Sequence, residues 1–206
     1  MMQRRAFVLG APLALMGCAA GKSVWAPDDA IAAVRAPRVG PHALTLYTML
    51  NSGSGNGAHT SLLINGSQRV MFDPAGSFAS PVVPERNDVL FGMTPRIEQF
   101  YISYHARSTY HVEGHHIEVT PEIAEQAMRL SLANGPVSQG HCTRVTSSIL
   151  GQLPGLEGLK NTYFPNNLRD EFALLPGVTE TEYRENDADD KSIAAAEINA
   201  ALTAGQ

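Results

Sequence analysis

Residues 58–73 read AHTSLLINGSQRVMFD, two short runs of alternating apolar residues on either side of Asn65-Gly66. An Asn-Gly pair between such runs is a strong hairpin signal, which predicts strands over 58–65 and 69–73. Leu62, Ile64, Val70 and Phe72 are all even-numbered. Both apolar pairs share one buried face only if even positions oppose even positions. A three-residue connection, Asn65-Gly66-Ser67, meets that condition and sets His59 across from Asp73 on the face away from the apolar stripe. A two-residue loop would separate them and expose one apolar set. The hydrophobic pattern therefore brings an imidazole and a carboxylate together. A carboxylate that accepts from one ring nitrogen fixes the tautomer and raises the basicity of the other, which can then take a proton from a thiol. Either residue alone reads better as a surface histidine or a turn-initiating Asp-Pro, and their pairing reverses that preference.

The thiol is found in residues 135–153, GPVSQGHCTRVTSSILGQL. Gly135, Pro136 and Gly140 break any preceding helix. From Cys142 onward Val145, Ile149 and Leu153 recur at helical spacing, so the cysteine opens a helix on its buried stripe. A thiol there feels the positive end of the helix dipole, and with a histidine nearby it supplies thiolate at neutral pH. The alternative is a small hydrophobe packed against a sheet.

The chain has 206 residues, 44% hydrophobic and 17% charged, enough for one domain with a core. Residues 6–20 form the long apolar run, preceded by Arg4-Arg5 and passing through Leu15-Met16-Gly17-Cys18. Pro12 interrupts a core helix there and no polar face exists, so an export signal over 1–17 is expected. The segment resembles a bacterial lipoprotein signal, which implies a cut after Gly17 and a lipid on Cys18. Arg4-Arg5 also resembles a twin-arginine signal, and that route and ordinary secretion both stay open. An acylated Cys18 forms no disulfide, leaving Cys142 a lone thiol in an oxidising compartment. Loss of 1–17 leaves 13 Lys+Arg against 20 Asp+Glu, a formal charge of −7. That balance, without a basic cluster, excludes nucleic acid as a partner and leaves the lipid anchor as the membrane attachment. The expected localisation is the cell envelope.

Residues 18–42, rich in Ala, Pro and Gly, read as a tether, 43–183 as the domain, and 184–206 as an acidic segment with an alanine-rich helix too poor in large apolar residues to pack firmly. Within the domain, strands are expected over 43–50, 109–119 and 178–183. Helices are expected over 120–134, with Thr120 capping and Ile123, Ala127 and Leu130 inward, and over 165–172. Residues 75–94 read as loop with a short helix near 88–91, and 95–103 as helix or strand. The glycines of 51–57 lack the Lys and spacing of a phosphate loop. His105, His111, His115 and His116 raise the question of metal. Without HExxH or paired cysteines, half-exposed strand histidines are the expected reading, with no metal and no cofactor.

The order His59 strand, Asp73 strand, later strand and helix, then His141-Cys142-Thr143 is similar to the circularly permuted papain-like fold of the permuted NlpC-type hydrolases, a group that includes lecithin:retinol acyltransferase relatives. Residues 58–64 match its histidine strand, 70–73 the strand with the third residue, and 141–143 the nucleophile motif. Many relatives have Asn where this chain has His141. The resemblance implies an α+β domain whose antiparallel sheet packs against helices including that of Cys142. It also implies cleavage or exchange of an amide, ester or thioester through an acyl-cysteine. Cys142 would be the nucleophile, His59 base then acid, and Asp73 the orienting residue. Backbone N–H groups would form the oxyanion hole, with Gln139 a weak second donor. A peptidoglycan peptide or an acyl chain would be the substrate. Competing classes are a non-catalytic binding lipoprotein and a metal-dependent hydrolase built on residues 105–116.

Overall fold

The computed structural model describes residue 21 and residues 23–204, so residues 1–17, read above as an export signal, and Cys18 lie outside the described residues. A short helix α1 (Asp28–Ala33) precedes strands β1 (Ala43–Asn51), β2 (Gly57–Asn65), β3 (Arg69–Phe72), β4 (Glu85–Arg86) and β5 (Val89–Phe91). Helix α2 (Pro95–His105) and strand β6 (Tyr110–Glu118) follow, then helices α3 (Pro121–Ala133), α4 (Cys142–Leu150) and α5 (Pro165–Ala173), strand β7 (Thr179–Tyr183) and helix α6 (Lys191–Ala204). The strands form one open sheet in the order β4-β5-β3-β2-β1-β6-β7, every neighbouring pair antiparallel.

Both faces of this sheet are covered. Leu44, Leu46, Leu62, Ile64, Val70 and Phe72 pack on the side of α3, α4 and α5, against residues such as Ile149, Leu150, Leu153 and Phe172. Tyr47, Met49, Leu63, Met71 and Leu90 pack on the other side with α2 and α6. A face left to solvent is the common case for antiparallel sheets; here Leu63 and Met71 are as inaccessible as their even-numbered neighbours. The face carrying His59 is therefore a second core.

The hairpin keeps the expected parity but not the expected register. Leu62 faces Phe72, Ile64 faces Val70 and Asn65 faces Arg69, so the connection is Gly66–Ser67–Gln68, one residue later than predicted. Carried one step beyond β3, this register sets Asp73 level with Ser61, a diagonal neighbour of His59. Asn65 stays in the ladder because its side chain is engaged: Nδ2 donates to the carbonyls of Val39 (2.7 Å) and Pro41 (2.5 Å), and Oδ1 accepts from the Val39 N–H (3.2 Å).

Other expectations change as well. Residues 88–91 are not helical: Glu85 pairs with Leu90 and Arg86 with Val89 around a two-residue turn whose Asn87 and Asp88 both take positive φ, 42° and 66°, the geometry of a tight hairpin turn. Residues 95–105 are a helix, with Thr94 Oγ1 accepting from the Ile97 N–H. The buried stripe of α3 is Ala124, Ala127, Met128 and Ser131, with the expected Ile123 and Leu130 half-buried against the same core at its edges. The expected tether is docked over its described part: Ala26 N–H reaches Glu85 O, Asn87 N–H reaches Val24 O, and Ile31 and Val34 pack on the core. The terminal helix is docked too, since Ala194, Ile198 and Leu202 recur at i, i+4, i+8 and are buried against α2; one narrow stripe suffices when the facing helix supplies the large side chains.

Asn65→Ala is expected to destabilise the fold by about 1–3 kcal/mol, because it orphans backbone groups of residues 39–41 near the sheet. Urea unfolding measures this, and a change within error would mean that the segment is held by something else.

Candidate active site

Three elements converge at the outer end of β2. Strand β3 stops at Phe72 and pairs with β2 only as far as Leu62, so the edge of residues 57–61 has no strand beside it on that side. Beyond Phe72 the chain turns through Asp73-Pro74-Ala75-Gly76, with Ala75 at φ 56°. Gly76 is required by space: a Cβ there would stand 1.8 Å from Asp73 Oδ2. Its N–H donates to Asp73 O at 2.9 Å. This turn directs the carboxylate inward, 3% exposed.

Asp73 Oδ1 accepts from His59 Nε2 at 2.6 Å and from the Tyr101 hydroxyl at 2.7 Å. The imidazole thus carries its proton on Nε2 towards the carboxylate and leaves Nδ1 for the thiol. Helix α4 lies on the opposite face of the sheet, yet its first residue meets His59 at the open strand edge. There Thr143 Oγ1 is 2.9 Å from Thr60 Oγ1, pinning the first turn of α4 to β2 one residue from His59. The buried Cys142 sulfur stands 3.8 Å from Thr143 Oγ1, and His59 and the Thr60 backbone are near enough to act on its ionisation. The structure thus brings Cys142, His59 and Asp73 together.

The charges follow from this burial. Desolvation opposes an imidazolium at position 59, but the Asp73 carboxylate, and after it Cys142, overcome that and hold His59 up at about 10. Burial likewise pushes the Asp73 carboxyl up, and His59 more than offsets it, leaving Asp73 below its ordinary value. Burial raises the Cys142 thiol, while the hydrogen bond and charge of His59, then Thr143 and Thr60, bring it below its ordinary value. Both shifts favour the thiolate and imidazolium forms of the pair.

Two residues join this site that the sequence did not place there: Tyr101, which it did not single out, and His105, which it grouped with the histidines of 105–116. Tyr101 is kept a neutral donor by burial and by the Asp73 charge. His105, whose Nδ1–H donates to Tyr101 O at 2.8 Å, stacks 6.0 Å from the His59 ring. Burial lowers it to about 3, so it is a neutral wall. Their signal was present: once 95–105 is helical, Tyr101, Tyr104 and His105 share one face. Asp88 also contributes, accepting from the Val137 N–H at 2.7 Å and from the Ala75 backbone, so it ties the Asp73 turn to the loop before Cys142. Burial raises its carboxyl to about 6 despite those bonds. Gln139, the weak oxyanion candidate, donates its amide to Ala75 O at 3.1 Å and borders the same cavity as His59.

The histidines of 105–116 do not form one cluster. His105 belongs to the Asp73 site, and His116 Nδ1 is 3.0 Å from Thr45 Oγ1 on the α2 face. His111 and His115 lie on the α5 face, buried at 4% and 2% where half-exposed rings were expected, because the helices cover that face too. There His111, Glu113 and Glu182, and separately Glu113, His115 and Glu180, come within 4.8 Å of one another. Arg169 Nη1 already holds Glu113 at 3.3 Å.

No family model matches the chain, no curated protein matches it, and no solved structure matches it.

Gly76→Ala alters none of the three converging residues but forces the Asp73 carboxylate aside. Alkylation of Cys142 by iodoacetamide at neutral pH should slow by up to about tenfold, the thiolate fraction lost for one unit of thiol pKa. An unchanged rate would show that Asp73 does not govern the thiol.

Proposed function

We propose that the protein is a cysteine hydrolase in a permuted papain-like domain, acting on an amide, ester or thioester through an acyl-cysteine. The observation that carries this reading is the buried relay in which Asp73 holds Nε2 of His59 and the same imidazole acts on the Cys142 thiol. The Cys142 thiolate attacks the substrate carbonyl carbon, forming an S–C bond and an oxyanion. The first N–H groups of α4 have no partner within the helix, whose first cap bond runs from Val145 N–H to His141 O at 3.0 Å, and they would receive the oxyanion. The His59 imidazolium gives its proton to the leaving atom as the C–N, C–O or C–S bond breaks. His59 then takes a proton from water, whose oxygen attacks the acyl carbon, and the acid leaves as the thiolate is regenerated. Asp73, itself held by the Tyr101 hydroxyl, holds the ring throughout.

An envelope location with Cys18 lipidated accompanies this proposal, and a peptidoglycan peptide amide is then the substrate within reach. No helix among the described residues is long and apolar enough to cross a membrane, which accords with a lipid anchor.

With p-nitrophenyl acetate, a burst of p-nitrophenol and an acetyl group on the Cys142 peptide are expected, both absent in Cys142→Ala. Alkylation should reach its plateau below the ordinary thiol value of ~8.5. A rate still climbing through that value, with no acetyl adduct, would favour a binding protein over an enzyme. Fatty-acid labelling in a bacterial host should be lost in Cys18→Ser, and persistent labelling would remove the anchor.

A further inference from the structure

Beside His59 lies a cavity of about 260 Å³ whose wall includes Met49, Tyr110, Ser77 and His105. Its one lysine is Lys191, the first residue of α6, brought there because α6 docks on α2. The ammonium group donates to Ser77 Oγ at 3.1 Å and rests 4.9 Å from the Tyr104 ring centroid. Among the described residues it makes no salt bridge. The carboxylate it feels through space is Asp73, already committed to His59 and Tyr101. The adjacent Asp190 turns the other way, its Oδ1 accepting from the Ser192 N–H and hydroxyl. The neighbouring Asp187 and Asp189 are held by Arg107 and by Ser108 and Thr109. A lysine facing a cavity, with a hydroxyl and an aromatic ring for partners, is a cation without its own anion.

We propose that this cavity is a subsite for a carboxylate of the acyl substrate, bound by Lys191 and the Ser77 hydroxyl. The inference rests on the hydrolase reading and narrows its substrates to acyl compounds carrying a negative charge near the scissile bond. A carboxylate fits better than a phosphate, because one ammonium and one hydroxyl match a single charge and no arginine fork faces the cavity. It also assigns a purpose to the terminal helix, which places Lys191 at the site and is otherwise remote from Cys142 in sequence.

Iodoacetate and iodoacetamide form the same bond to sulfur and differ in charge, so their rate ratio on Cys142, read on its peptide in the full chain by mass spectrometry, reports the subsite. Lys191→Met should lower the iodoacetate to iodoacetamide ratio by about three- to tenfold, and Lys191→Arg should largely restore it. A ratio unmoved by Lys191→Met overturns the subsite while leaving the nucleophile intact. A second measurement needs no reactive thiol: ligand-observed NMR should show N-acetylglycine, but not N-acetylglycinamide, binding to the Cys142→Ala protein and lost on adding Lys191→Met. If the two ligands bind alike or neither binds, the subsite is overturned. If the carboxylate binds but neither alkylating reagent touches Cys142 in the native chain, the hydrolase reading falls and the anion site stands.

Discussion

A carboxylate as deeply buried as Asp73 is the constraint on which this molecule turns. An unpaired charge in such a place is strongly disfavoured, and removing one partner of a buried pair typically costs about 3–5 kcal/mol. The structure meets that demand from three directions: His59 from the neighbouring strand, Tyr101 from α2, and a turn that only a glycine at position 76 leaves room for. Each partner belongs to a different element, so the carboxylate locks β2, α2 and the end of β3 together. Moving any one of them leaves a charge unanswered in the core.

The second organising feature is that β3 is short. Had it continued alongside β2, the edge at Thr60 would be filled by backbone, and α4 on one face could not meet His59 on the other. By ending at Phe72 it opens a notch through which the first residue of α4 reaches the imidazole. Position and chemistry share one cause here: the turn that ends the strand aims Asp73 at His59 and clears the edge for the thiol.

Parity made part of this legible in the sequence. Burying four even-numbered apolar residues on one face forces His59 and Asp73 onto the other in any register that opposes even positions with even, and that survives a register two residues from the expected pairing. What decided the actual register was Asn65, whose side chain binds carbonyls more than twenty positions earlier, a tertiary contact that no local pattern encodes. The same limit applies to Tyr101, His105 and Lys191, which reach the site through helix docking. Composition misled at both ends of the domain: alanine- and proline-rich segments read as solvated, but a few well-spaced side chains, Ile31 and Val34 at one end and Ile198 and Leu202 at the other, hold them against surfaces supplied by the rest of the chain.

Charge at the site couples reactivity to stability. His59 is held up at about 10, above its unfolded value of ~6.5. Its imidazolium therefore contributes stability that is complete below pH ~6.5 and is lost as pH rises through about 10. Asp73 and Cys142 are shifted the other way, so their contributions are present above their unfolded values and disappear as pH falls through the folded ones. The pair of Asp73 and His59 is accordingly at full strength from above the carboxyl range to pH ~6.5, while the thiolate gains its share at higher pH. Over the neutral range the imidazolium that stabilises the fold is the same one that lowers the Cys142 thiol. A substitution that weakens the relay should then lower thiol reactivity and stability together, with the loss of stability largest near pH ~6 and fading as pH rises towards 10.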